Sequence, residues 1–152
     1  VKPERNLFLS INYDGNFEES RGWAALGATA SVQGRMRRYV ESQPAFAQAS
    51  LAQAVELALC TWAVGSLAQA ASESTAAESS STQLSEEQTE GDGSSLPDKA
   101  ALLAHVRQTV AEKSLECVLL ERRGPGSAKY RALRPEELGR LLPSAVSAPA
   151  TT

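Results

Sequence analysis

The sequence predicts a mixed α/β domain in which helices lie on antiparallel strands, and three observations carry that expectation. Leu7, Leu9 and Ile11 alternate with Phe8, Ser10 and Asn12 before Asp14-Gly15, a dipeptide that tolerates positive φ and marks a hairpin. Leu51, Val55, Leu59 and Trp62 form one apolar stripe at helical spacing. Cys117, Val118, Leu119 and Leu120 make a nearly continuous apolar run ahead of Gly124-Pro125-Gly126-Ser127, a second strand and turn. Adjacent hairpins favour an antiparallel sheet with layered helices over a doubly wound parallel one.

In chain order, a strand over 7–11 is expected to return as a second strand at 23–26, with polar 16–21 as an irregular turn. Gly27 suits the close turn that follows. A helix over 31–40 places Val32, Met36 and Tyr39 on one face, with Arg35, Arg37 and Arg38 mostly on others. Pro44 breaks the chain. Ser50-Leu51-Ala52-Gln53 fits a capping box, in which the hydroxyl meets an unpaired amide and Gln53 reaches back. That opens a second helix to Leu67, with Ala54, Ala58 and Ala63 flanking the stripe and Leu59 and Trp62 as core anchors.

The segment 72–95 holds six acids and no Lys or Arg, which leaves 12 acids against 15 basic residues elsewhere. Crowded with Ser, Thr and Ala and without aromatics, it cannot bury enough apolar surface to offset the entropy of ordering, so it reads as a disordered loop. Asp98 then caps a third helix to Lys113, with Leu102, Val106 and Val110 every four residues; of the three helices it has the least reason to join the main core. A strand over 115–120, buried on both faces, pairs with 128–133. Pro135 opens a closing helix with Glu136 and Glu137 in its positively polarised first turn and Leu138, Leu141 and Leu142 inward. The organisation is therefore 1–71, an acidic insertion 72–97, 98–142 returning to the same domain, and a loose tail 143–152.

The chain has 152 residues, 42% hydrophobic and 22% charged, with a formal net charge of -3. These values exclude fibrous and wholly disordered classes. No window is expected to reach the run of about 18 apolar residues that spans a membrane, and 1–11 lacks the regions of a signal peptide, so a cytoplasmic address is the default. Val1, with a strand pattern starting almost at once, suggests a chain whose upstream part precedes it. Cys60 and Cys117 sit in apolar surroundings and read as core thiols. His105 lies on a helix without a metal-ligating companion and reads as structural or solvent-facing, not catalytic. Gly124-Pro125-Gly126 precedes a strand and no Gly-Lys-Ser/Thr, so it is a hairpin turn and not a phosphate loop. Arg122, Arg123, Lys129, Arg131 and Arg134 could neutralise phosphates, but alternation sets them on the outer side of a strand, a solvated or subunit-facing edge. No catalytic, cofactor-binding or metal-ligating residue is assigned.

The order of blocks adds a resemblance. Residues 7–17 with Gly22-Trp23-Ala24-Ala25-Leu26-Gly27, then 50–58, then 115–122, then 129–138 resemble, in sequence order, the strand, helix, strand and strand–helix blocks of proteasome α-type subunits, closest to actinobacterial-style ones. Ala28 departs, standing where many members have a second Gly. The resemblance implies the C-terminal half of an Ntn-hydrolase-like α-β-β-α sandwich with two antiparallel sheets. It also implies a non-catalytic role in a heptameric ring of like subunits, which caps proteolytic β rings, gates entry of unfolded substrates and receives an ATPase-type activator, with no cofactor, nucleic acid or membrane partner. Helices at 31–41 and 50–68 would supply the layer facing the opposed ring. The family's gate segment and activator-docking lysine would precede Val1. A β-type subunit, with its threonine nucleophile upstream, is the enzymatic alternative; an unrelated α/β binding domain with a basic hairpin is the other.

Overall fold

The computed structural model describes residues 7–11, 14–44, 49–78, 95–120, 129–144 and 146. It is mixed α+β, with four helices and two separate antiparallel pairs of strands. In chain order these are β1 (Leu7–Ile11), β2 (Phe17–Arg21), α1 (Ala30–Ser42), α2 (Leu51–Glu78), α3 (Lys99–Glu112), β3 (Val118–Leu120), β4 (Tyr130–Ala132) and α4 (Pro135–Leu141). Helix α2 is the hub, packing against α1, α3 and α4.

The first hairpin closes sooner than the pattern predicts. Gly15 takes φ 82°, and Asp14 accepts from the Asn16 amide at 3.2 Å and from its side-chain nitrogen at 2.8 Å. This side-chain-braced turn sends the chain straight back. The return strand is therefore Phe17–Arg21, paired Leu7↔Arg21, Leu9↔Glu19 and Ile11↔Phe17, and not 23–26. A polar strand is tolerated because both faces of this surface ribbon meet water. Gly22, at φ 83°, ends it, and 23–26 run on without strand pairing.

Helix α1 is capped by Thr29, whose Oγ1 accepts from the Val32 amide at 3.2 Å. Val32, Met36, Tyr39 and Val40 are buried, the inward face expected. Gly27 matters through contact: a Cβ there would lie 2.6 Å from the Gln33 backbone nitrogen, so only glycine lets the incoming chain lie on the first turn of α1. The Glu18–Arg37 ion pair ties the first hairpin to the same helix.

Helix α2 begins as expected. The Ser50 amide donates to Gln53 Oε1 at 2.8 Å, and the Gln53 amide to Ser50 Oγ at 3.3 Å. It does not stop at Leu67 but continues to Glu78, seven residues into the stretch expected to be a loop. No Gly or Pro interrupts 66–90, and Ala, Gln and Glu favour helix; Gln69 Nε2 donates to Glu73 Oε1 one turn on, at 3.0 Å. The rest of that acidic stretch, to 94, lies outside the described residues. Contrary to expectation, Leu51–Ser74 is long and apolar enough by composition to cross a membrane; 44% of its most apolar window is buried inside the fold. Part of its apolar side is engaged by α1, α3 and α4, as in the central helix of a packed domain.

Helix α3, capped by Asp98 through the Ala101 amide at 2.7 Å, packs into the main core and is not a marginal element. Leu102 and Val106 are 0% exposed and join Leu59, Cys60, Ala63 and Val64 in the main core. The second hairpin is shorter than expected, and β3 is not buried on both faces: Val118 and Leu120 are exposed, Leu120 at 72%, because nothing among the described residues covers the outer side of this ribbon. Its turn at 124–127 lies outside the described residues. The Leu133 amide extends the ladder to Cys117 O at 2.9 Å, and Leu133 enters the core. Leu138 of α4 is buried, with Leu141 and Leu142 packed beside it as expected. Val146, in the stretch expected to be loose, bonds back to Pro143 O and is 2% exposed in the core; 145 and 147–152 lie outside the described residues.

Candidate functional site

Among the described residues, a concavity runs along α2 where it faces α3, the start of the second hairpin and α4. Ala54, Ala58 and Trp62 lie four apart there, all exposed, with Leu51 half-buried one turn before. Val106, Val110, Leu115, Cys117, Val118 and Leu138 form the other walls of a groove of about 650 Å³, and Thr109, Lys113, Ser114 and Glu116 supply its polar atoms. Its size and apolar lining are those of ligand and peptide sites. Trp62 also borders a depression of about 370 Å³ towards Val32, Met36 and Gly65, and one of about 240 Å³ towards Trp23 and Ala25.

Trp62 is therefore not the core anchor its place in the stripe implies. It is 41% exposed, and one indole face stacks on His105, with centroids 5.7 Å apart and planes 16° off parallel. Leu59, one turn earlier, is the anchor. His105 Nε2 lies 3.0 Å from Ser66 Oγ, which joins α3 to α2. This pair resembles the base and nucleophile of a hydrolase only in composition. Ser66 stands in mid-helix, where neighbouring amides serve the helical ladder and offer no donors to an oxyanion, and no described carboxylate bonds the imidazole. Its supported role is to orient the ring that stacks on Trp62.

Of the basic residues around the second hairpin, Arg122 and Arg123 lie outside the described residues. Arg131 and Arg134 converge on Glu137: Arg131 Nη1 donates to Oε1 at 3.1 Å, and the Arg134 amide and Nε donate to Oε2 at 3.2 and 3.3 Å. The cluster is thus partly a helix-capping device, which the alternation of β4 does not reveal. The Arg134 amide, its guanidinium and then Arg131 hold the Glu137 carboxyl below the ordinary glutamate range. A depressed folded value stabilises the fold above the unfolded value, and that stability is lost as pH falls through the folded one. Glu137→Gln should therefore lower the melting temperature at neutral pH, with the difference from wild type vanishing on acidification. A difference that stays constant into the acid range would show that the carboxylate charge contributes nothing.

Both cysteines are free. Cys60 is buried against Tyr39, and burial pushes its thiol up; burial and then the hydrogen bond to Cys60 push the Tyr39 hydroxyl up as well. Neither the Cys60 thiol nor the Tyr39 hydroxyl is poised to ionise near neutrality. Cys117 is half-buried at the groove wall. Among the described residues no three His, Cys, Asp or Glu side chains are placed to share a metal ion. No protein-family model, curated protein or solved structure matches this chain.

Proposed function

We propose that the chain is a non-catalytic α-type subunit of a proteasome core particle, contributing packing surface to an outer ring that gates substrate entry to proteolytic β subunits in the cytoplasm. The observation that carries this reading is the closing unit. β3, β4 and α4 follow in the order the family resemblance implies, Arg134 and Glu137 fasten strand to helix, and Leu138 seats the helix on α2. On this reading the α-β-β-α sandwich is completed by a second sheet laid on the apolar outer side of β3 and β4, where Val118, Leu120 and Tyr130 are exposed. Light scattering after size exclusion tests it, on the chain alone and co-expressed with a proteasome β subunit. Ring-sized particles that acquire peptidase activity only with the β subunit are expected; a species of one or two chains that ignores the β subunit would sink the reading.

A further inference from the structure

The strand that walls the groove keeps one edge unpaired. Residues 114–120 alternate along their length: Leu115, Cys117 and Leu119 are half-buried against the core, and Ser114, Glu116, Val118 and Leu120 are exposed. Cys117 O accepts from the Leu133 amide, so the backbone groups of Cys117 and Leu119 are directed at β4. In an antiparallel ladder alternate residues bond to opposite sides, which directs the N–H and C=O of Glu116, Val118 and Leu120 away from β4. Among the described residues none hydrogen-bonds to these groups. The groove lies on that side, since residues 113–118 line it and no residue of β4 does.

We propose that the groove receives an extended polypeptide segment of another protein, added as a strand to the free edge of β3 with alternate apolar side chains lowered onto α2. Two complementarities specify this occupant. The unpaired N–H and C=O groups match a peptide backbone, which offers a donor and an acceptor at every second residue, the mode of recognition in which a strand is added to a sheet edge. The apolar walls match side chains at the same two-residue period, because Leu51, Ala54, Ala58 and Trp62 line the groove along one side of α2. The span agrees as well: Ala54 to Trp62 covers about 12 Å of helix, the length of roughly four extended residues. A second copy's β3 is unsuited to supply that strand, since its Leu115, Cys117 and Leu119 are already seated against its own core. The inference stands apart from the ring reading, because it concerns the edge of β3 and not the outer face of the second hairpin.

The probe is the end-blocked peptide Lys-Val-Thr-Val-Thr-Val-Glu, titrated into the isotope-labelled chain. Calorimetry should show one saturable site with a Kd on the order of 10 to 100 μM. Amide hydrogen exchange should slow at Glu116, Val118 and Leu120 on binding, while Cys117 and Leu119, already turned to β4, change little. N-methylation of one alternate set of peptide amides should weaken binding about tenfold or more, and of the other set should leave it intact, whichever direction the strand runs. Ala58→Arg, which fills the groove from an exposed helical position, should abolish binding with unchanged helical circular dichroism. The methylated peptides keep the test decisive if this variant disturbs folding. No binding at about 1 mM peptide would overturn the inference. So would equal losses from the two methylated sets, the mark of an apolar cavity without strand pairing, or protection of the same three amides by self-association without peptide.

Discussion

Leu102→Ala lowers the unfolding free energy by about 2 to 5 kcal/mol, read as a fall in the urea midpoint at unchanged slope. Leu102 is 0% exposed and packs with Leu59, Ala63 and Val106 where α2 meets α3, so one methine and two methyl carbons are removed from a site closed to water. The same truncation at Leu59 should cost less. Leu59 is also buried, but it lines the open groove beneath Trp62, and Trp62 has room to settle into the space. Equal losses at the two positions would mean that the groove wall is as rigid as the core, and a negligible loss at Leu102 would mean that α3 does not pack on α2.

Val106→Asp should unfold the chain at neutral pH. Val106 is likewise 0% exposed, one residue after His105, and a carboxylate there would sit among Leu, Val and Cys side chains without a charge partner. An unpaired buried charge costs several kcal/mol, comparable with the whole stability of a small domain. Because neutralising the carboxyl removes most of that penalty, structure should partly return on acidification, and Val106→Asn should be less harmful than Val106→Asp at pH 7. Near-native circular dichroism and cooperative melting of Val106→Asp at pH 7 would place residue 106 at the surface.

Local signals survived the passage from sequence to fold wherever neighbours in sequence decide the outcome. The caps are the clearest case: Ser50 with Gln53, Asp98 and the Pro135 opening all depend on groups three or four residues away, and all form. Helical stripes located Val32, Met36, Leu59, Leu102 and Leu138 in the interior for the same reason, since 3.6-residue periodicity fixes which side chains share a face. The signal that could have revealed the candidate groove is also in the stripe. Ala54, Ala58 and Trp62 share a helical edge on which small residues leave space beside one large ring.

Structure and expectation part where one local cue outweighs another or where the outcome depends on distant partners. The acidity of 72–78 says nothing of the helix that runs into it, because continuation is set by the absence of Gly and Pro and by α2 already being nucleated. Apolar runs such as 115–120 announce burial, yet a strand is buried only if another layer covers it, and β3 has a helix-bearing side and an open one. Likewise the arginines of the second hairpin look available until folding brings α4 back and Glu137 takes two of them.

The sequence alone determined the mixed α+β class, the hairpin turn at Asp14-Gly15, the caps and the inward faces of the helices, because each follows from interactions within about one helical turn or one tight turn. Tertiary structure alone decided that α2 is the hub, that α3 is core, that Trp62 stands in a groove and that both ribbons keep an apolar face outward. Those outcomes depend on which elements meet across the fold, and side-chain periodicity orients a face without saying what, if anything, will cover it.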